Sequence, residues 1–316
     1  MLRPMLFMGF VMFLASVLCL MTGCGEGADK VRPEGPTRIV VSIPPIAWAV
    51  QELAPEGAEI RVLLQQGQSE HGASLSASDA AAIRKADLVF LVGWGLESSA
   101  ERLVRDPPNW QRVVRMSGVV EGADLDLPEH DHGEDCEHGC TGHHHHYATD
   151  PHAWLDPHAM AHWVRAVGDA LGADADRIEE LVSICLEIDG EYASALVDLP
   201  RRHIVTHHNA YGWIAQRYNL EVAAVIRPNE LLETTPGELS AAVSAVRELG
   251  IGAAFIEPQF SDRAATRLRE LTGVRLLPID PLGSGDWPQT MRSNLASLVE
   301  GLSIPSPAPQ PLPSEN

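Results

Sequence analysis

Short apolar runs alternate with amphipathic stretches along most of the chain, and this alternation is the first structural signal. Residues 38–43 (RIVVSI) form a nearly unbroken apolar run, as a strand does when both its faces are covered. Residues 46–53 follow two prolines and read as a short helix, 59–64 as a strand, 76–85 as a helix and 87–92 as a strand. Ser76 and Asp79 have the spacing of a capping box at the start of the helix over 76–85. Between 121 and 150 the period stops, because EHDHGEDCEHGCTGHHHHYATD offers acids and imidazoles but no apolar face; it predicts a solvated loop.

Helical spacing resumes over 161–199, with a break near Gly172, and Leu181, Cys185, Ile188, Tyr192 and Leu196 keep three- and four-residue steps. A second alternating series follows, with strands at 203–207, 221–226, 253–256 and 274–279 and helices at 211–218, 236–249, 263–271 and 289–302. Thr235, Pro236 and Glu238 supply the cap, the first-turn proline and the capping-box acid of the helix over 236–249. The pattern predicts an α/β protein of two lobes, each a parallel sheet flanked by helices, joined by a long rigid helix. The first lobe takes residues 37–172, the linking helix 173–199 and the second lobe 200–303.

Composition narrows the function. A chain of 316 residues, 45% hydrophobic and 21% charged, can bury two cores of ordinary domain size. Its formal charge of −20 would repel a phosphate backbone, which excludes nucleic acid as a partner and is compatible with attracting cations.

Arg3 precedes an apolar run over 6–21 that is too short for a comfortable membrane span. The run ends Met21-Thr22-Gly23-Cys24, which resembles the lipobox of bacterial lipoprotein signals, with Met21 where that pattern prefers leucine. On this reading residues 1–23 are the signal, Cys24 is the acylated first residue that holds the chain to a lipid bilayer, and 24–36 is a tether. The mature chain then lies outside the cytoplasm, in the periplasm or at the cell surface, as it would with an ordinary secretory signal or a single anchor helix. Residues 304–316 read as a Pro-rich disordered tail. Cys136 and Cys140 offer either a short disulfide or thiolates to metal, while Cys185 sits on an apolar stripe and reads as a small buried hydrophobe.

In open α/β sheets ligands bind beyond the carboxyl ends of the strands. The strand-end loops here carry Glu70 and His71, then His152 in DPHAWLDP, then His207 and His208, and finally Asp280. Three neutral imidazoles and one carboxylate suit a four-coordinate zinc ion. His207 and His208 face opposite sides of their strand, so one of them points inward. His158, His162 and Trp154 read as structural, and Gly93-Trp94-Gly95 lacks the third glycine of a dinucleotide loop.

SEHGASLSASD, DPHAWLDP, HHNAYGWIAQRYNL and EPQFSDRAATRL through PIDPLG resemble segments of the solute-binding lipoproteins of bacterial zinc and manganese ABC importers. The likeness runs from Arg38 to about Leu302. It implies His71, His152 and His208 as metal ligands, with Asp280 as the fourth and Glu70 or a water as its alternatives. It also implies a Zn2+ cargo, delivery to a membrane permease, a monomer, and two lobes joined by a long helix that allows only small movements. The acidic loop, with His130, His132, His138, His143, His144, His145 and His146, is a mark of the zinc branch and can hold cations weakly and reversibly. Imidazole ligation predicts that affinity falls as pH drops through about 6.5. The rival readings are a manganese or iron receptor of the same family, a zinc hydrolase with Glu70 as base, and an adhesin or metal store built on the His-rich loop.

Overall fold

The computed structural model describes residues 35–64, 67–71, 74–123, 150–228, 232–259 and 263–305. The signal, Cys24, most of the tether, the histidines of the acidic loop with Cys136 and Cys140, and the chain beyond Pro305 lie outside the described residues.

The first apolar run becomes β1 (Arg38–Val41), followed by α1 (Pro44–Leu53), β2 (Glu59–Val62), α2 (Ala77–Lys85) and β3 (Leu88–Leu91). Ser76 and Asp79 form the expected capping box: the Ser76 side chain accepts from the Asp79 amide, and Asp79 accepts from the Ser76 amide. Three further elements follow among the described residues, namely α3 (Ser98–Leu103), β4 (Arg112–Arg115) and α4 (Met116–Val120). All strands pair in parallel, in the order β2-β1-β3-β4.

After a 3-10 turn at Ala153–Leu155 the chain enters α5 (Pro157–Leu171), which starts four residues before the sequence reading. The reason is Asp156, whose carboxylate accepts from the amides of His158 and Ala159 and caps the helix. Gly172, at φ +66°, ends α5, and α6 (Ala175–Leu196) then runs for 22 residues, about 33 Å at the helical rise. The second lobe follows with β5 (His203–Thr206), α7 (Gly212–Arg217), β6 (Glu221–Val225), α8 (Pro236–Glu248), β7 (Ala253–Ile256), α9 (Arg263–Thr272), β8 (Arg275–Pro278) and α10 (Trp287–Ser303). Its strand order, β6-β5-β7-β8, repeats the first lobe's, again all parallel.

Alternation along the strands divides the core. Ile39, Val41 and Phe90 of the first sheet share one continuous cluster with Ile204, Phe255 and Leu277 of the second. Val40, Val89 and Leu91 point to the other side of the first sheet, and Val205 and Ala254 to that of the second. Trp48 of α1 stacks on Trp287 of α10, with ring centroids 5.5 Å apart. Tyr192 of α6 donates to the Met291 carbonyl of α10 at 2.7 Å. Such contacts suit lobes that move little against each other. Ile304, the first residue assigned to the tail, packs on this core against Gly252. Cys185 is fully buried, and burial pushes its thiol well above the usual range. Among the described residues no helix is long and apolar enough to cross a membrane.

Candidate metal centre

The strand orders place each lobe's reversal point between its first strand and its third, where a crevice opens beyond the carboxyl ends. In the second lobe β5 delivers His208 to this crevice and β7 delivers Glu257. The loop after β2 brings Glu70 and His71 from the first lobe, and the segment before the 3-10 turn brings His152.

Glu70, His71, His152 and His208 each present one donor atom, and all four atoms lie within 4.8 Å of one another. The His152 Nε2 is 3.3 Å from the Nε2 atoms of His71 and of His208. A Glu70 Oε1 lies 3.6 Å from the His152 Nε2 and 3.7 Å from that of His208. In a tetrahedron the edge is about 1.6 times the central bond, so Zn–N bonds of about 2.0–2.1 Å separate ligand atoms by about 3.3–3.4 Å. The two His–His separations match that edge and the two Glu70 separations exceed it by a few tenths of an ångström, a group that one small cation could draw together.

Two of the rings are oriented from behind. His152 Nδ1 lies 2.7 Å from Asp150 Oδ1, which also accepts the His152 amide at 3.0 Å. His208 Nδ1 hydrogen-bonds to Glu257, whose second oxygen accepts from the Gln259 side-chain amide at 2.9 Å. An ionised carboxylate only accepts, so each Nδ1 carries the proton and each Nε2 turns a lone pair inward. Lone pairs facing one another at 3.3 Å repel, and a cation between them removes the repulsion. Burial alone would lower the His152 pKa, but the hydrogen bonds to Asp150 and Glu70 and the charge of Asp150 outweigh it and raise the pKa above its ordinary value. Buried Tyr211, beside His208, is pushed well up by burial and by the nearby charges of Glu257, Asp280 and Glu70, so its phenol stays neutral.

Glu70, His152 and His208 are buried, while His71 is exposed. His207 is buried as well but is not part of the donor group, so it is His208 that the β5 alternation turns inward. Asp280 also stands outside the group. Its Oδ1 accepts from the Leu282 amide at 2.9 Å, and its backbone is tied to the Asn294 side chain at 2.9 and 2.7 Å. Within the group the carboxylate is Glu70, which the sequence set beside a water as an alternative to Asp280.

Asp150 and Glu257 went unnoticed in the sequence, although each had a signal. Asp150 stands two residues before His152, and Glu257 directly follows β7. Two other residues of DPHAWLDP, Trp154 and Asp156, bridge the lobes. Trp154 donates to the Pro281 carbonyl and Trp287 to the Trp154 carbonyl, each at 2.7 Å. Asp156, fully buried, meets Arg217 of α7 at 2.6 Å.

A family model described as ZnuA, zinc-uptake complex component A periplasmic, matches residues 39–301. The zinc-binding lipoprotein AdcA of Streptococcus pneumoniae serotype 4 is 25% identical over 328 residues, which cover 96% of this chain but 63% of AdcA. The chain therefore spans less than two thirds of that relative's length. The manganese-binding lipoprotein MntA of Halalkalibacterium halodurans is 25% identical over 311 residues, covering 92% of this chain and 97% of MntA. Among solved structures, the periplasmic zinc-binding protein TroA from Treponema pallidum superposes with a TM-score of 0.71 at 20% identity. That superposition covers 85% of this chain and 100% of TroA, and it shows a shared fold.

Proposed function

This chain belongs to the periplasmic zinc-uptake complex component A family, and on that premise we propose that it captures Zn2+ outside the cytoplasm and delivers it to the permease of an ABC importer. The observation that carries the reading is the group of four donors, three imidazoles and a carboxylate, drawn from both lobes and spaced for one cation. Glu70, His71, His152 and His208 are its ligands, with Asp150 and Glu257 behind two of the rings. Membership sets the chain among uptake components rather than enzymes. Three nitrogens and one oxygen favour zinc over manganese, which prefers carboxylates and water. The names of the relatives point to both metals, so the donor set argues the choice.

Cys24, acylated, tethers the mature monomer to the membrane beside its permease. The seven histidines between His130 and His146 raise the local cation concentration without being part of the tight site. Titration of the purified mature chain with zinc, alone and against manganese, tests the reading. One tight zinc per chain, resistant to manganese and lost in His152→Ala, is the expected result. Manganese displacing zinc would overturn the choice of metal, and unaltered binding by His152→Ala would overturn the site. Deletion of residues 129–146 is expected to leave one-to-one binding intact, which separates this reading from a store built on the acidic loop.

A further inference from the structure

Behind His152 a chain of contacts crosses from one lobe to the other. After β3, Gly93, Trp94 and Gly95 adopt φ values of +92°, +46° and +85°. Glycine adopts such values freely, whereas a bulky side chain does so only when its surroundings enforce it. Here Glu97 enforces it by accepting from the Val92 amide at 2.7 Å and the Gly93 amide at 3.0 Å. The turn lays Trp94 against Trp213 of α7, with centroids 6.4 Å apart, and the Trp94 indole donates to Glu121 at 3.0 Å. Trp213 is buried, and its own indole donates to the Asp150 carbonyl at 3.2 Å. Asp150 in turn holds both the amide and the ring of His152.

We propose that Trp213 is a positioning residue for the cation ligand His152, buttressed from the opposite lobe by Trp94, and that this pair sets how long a captured cation stays. The inference rests on the capture reading above. Trp213 is not one of the four donors; it acts by fixing the backbone from which Asp150 reaches the ring. A coordination shell tolerates small displacements poorly, and changes in affinity fall mainly on dissociation. The strained Trp94 turn is then accounted for, because a relaxed turn would not hold the indole over Trp213.

Zinc-loaded mature protein mixed with excess chelator in a stopped-flow instrument gives the release rate, and mixing the metal-free protein with zinc gives the association rate. Losing one neutral hydrogen bond corresponds to about a three- to tenfold change, so Trp213→Phe is expected to release zinc faster by that factor with association unchanged. Trp94→Ala is expected to speed release by a smaller factor. Thermal denaturation of the same samples separates this effect from general loosening, as does Trp110→Phe, a ring near the start of β4 at the opposite end of the first sheet. Wild-type release rates in both variants would overturn the proposal, as would an equal acceleration in Trp110→Phe. If Trp213→Phe does not fold, Trp94→Ala decides alone by the same criterion. Absence of one-to-one zinc binding by the wild type would instead sink the capture reading, so the two failures are distinguishable.

Discussion

The two sheets share one strand order, yet their central crevices are put to opposite uses. Beyond β3 the first lobe turns a carboxylate on itself, because Glu97 accepts two backbone amides and closes the turn. Beyond β7 the second lobe aims Glu257 at the ring of His208, whose far nitrogen then looks into the cleft. The strand order provides a crevice in either case. Whether the crevice binds anything depends on what its carboxylate is bonded to. The first sheet accordingly contributes Glu70 and His71 from an edge, the loop after β2, where His71 remains exposed.

The largest effect comes from removing one of the two buried rings, His152 or His208. His152→Ala and His208→Ala are each expected to weaken zinc binding by more than about 100-fold, the upper range for losing an outer partner. His71→Ala, which removes the exposed ring, is expected to cost less than either. Competition titration against a chelator of known affinity ranks the three. A larger loss for His71→Ala would mean that the first lobe's edge dominates the site, and the contrast drawn here would fail.

The two carboxylates make a crossed pair. Glu257→Gln is expected to lower zinc affinity by about 10- to 100-fold, because the His208 ring loses the partner that fixes its tautomer. Glu97→Gln replaces an acceptor oxygen by an amide donor, leaving a backbone amide without its partner. That is expected to cost about 1–3 kcal/mol of stability, with a far smaller effect on zinc. Calorimetric melting and metal titration of both variants would show the crossing. Equal zinc losses would erase the distinction between the crevices.

Protons sharpen the comparison further. His152 has a raised pKa in the metal-free protein, so its protonated form stabilises the fold fully below the unfolded value near 6.5, and this contribution is lost as pH rises through the folded value. Zinc has the opposite preference, since it must displace that proton. Affinity is therefore expected to begin falling above the ordinary histidine value as pH drops, by about tenfold per pH unit per proton displaced. Asp150→Asn is expected to move this onset to lower pH, whereas Glu97→Gln leaves it in place. An onset at or below 6.5 in the wild type would contradict the role given to Asp150.

How much of this could be read from the residues depended on what each one was bonded to. β1, β3, β5 and β7 stood out as apolar runs because they lie inside their sheets with both faces covered. β4 was missed: it is an edge strand, RVVR, with an arginine at either end and no alternation long enough to register. α3 and α4, of six and five residues, are too short to show a period. The three imidazoles were legible because strand-end histidines need only the strand to be placed. The carboxylate stayed open between Asp280 and Glu70, because the choice depends on which of them the fold brings beside the three rings, and no pattern in their loops announces that. The indole bonds of Trp154, Trp213 and Trp287 end on backbone carbonyls, which every residue has, so no pattern of side chains announces them.

The smallest effect is expected at Asp280, and it is informative for that reason. Asp280→Asn keeps an acceptor oxygen for the Leu282 amide and removes only the charge, so the loop beside Trp154 stays as it is. The charge is felt within the site, as the raised pKa of Tyr211 shows, so a slight loss of zinc affinity is expected. It should not exceed about fivefold, the scale of a charge pair open to solvent. A ligand would behave differently, because an amide oxygen is a poor substitute for a carboxylate at zinc and the loss would approach that of His71→Ala. Titrating Asp280→Asn beside Glu70→Gln therefore measures which carboxylate completes the shell. If Asp280→Asn proved the more damaging, the second lobe would supply the oxygen as well as a buttressed ring, and the edge of the first lobe would be left with His71 alone.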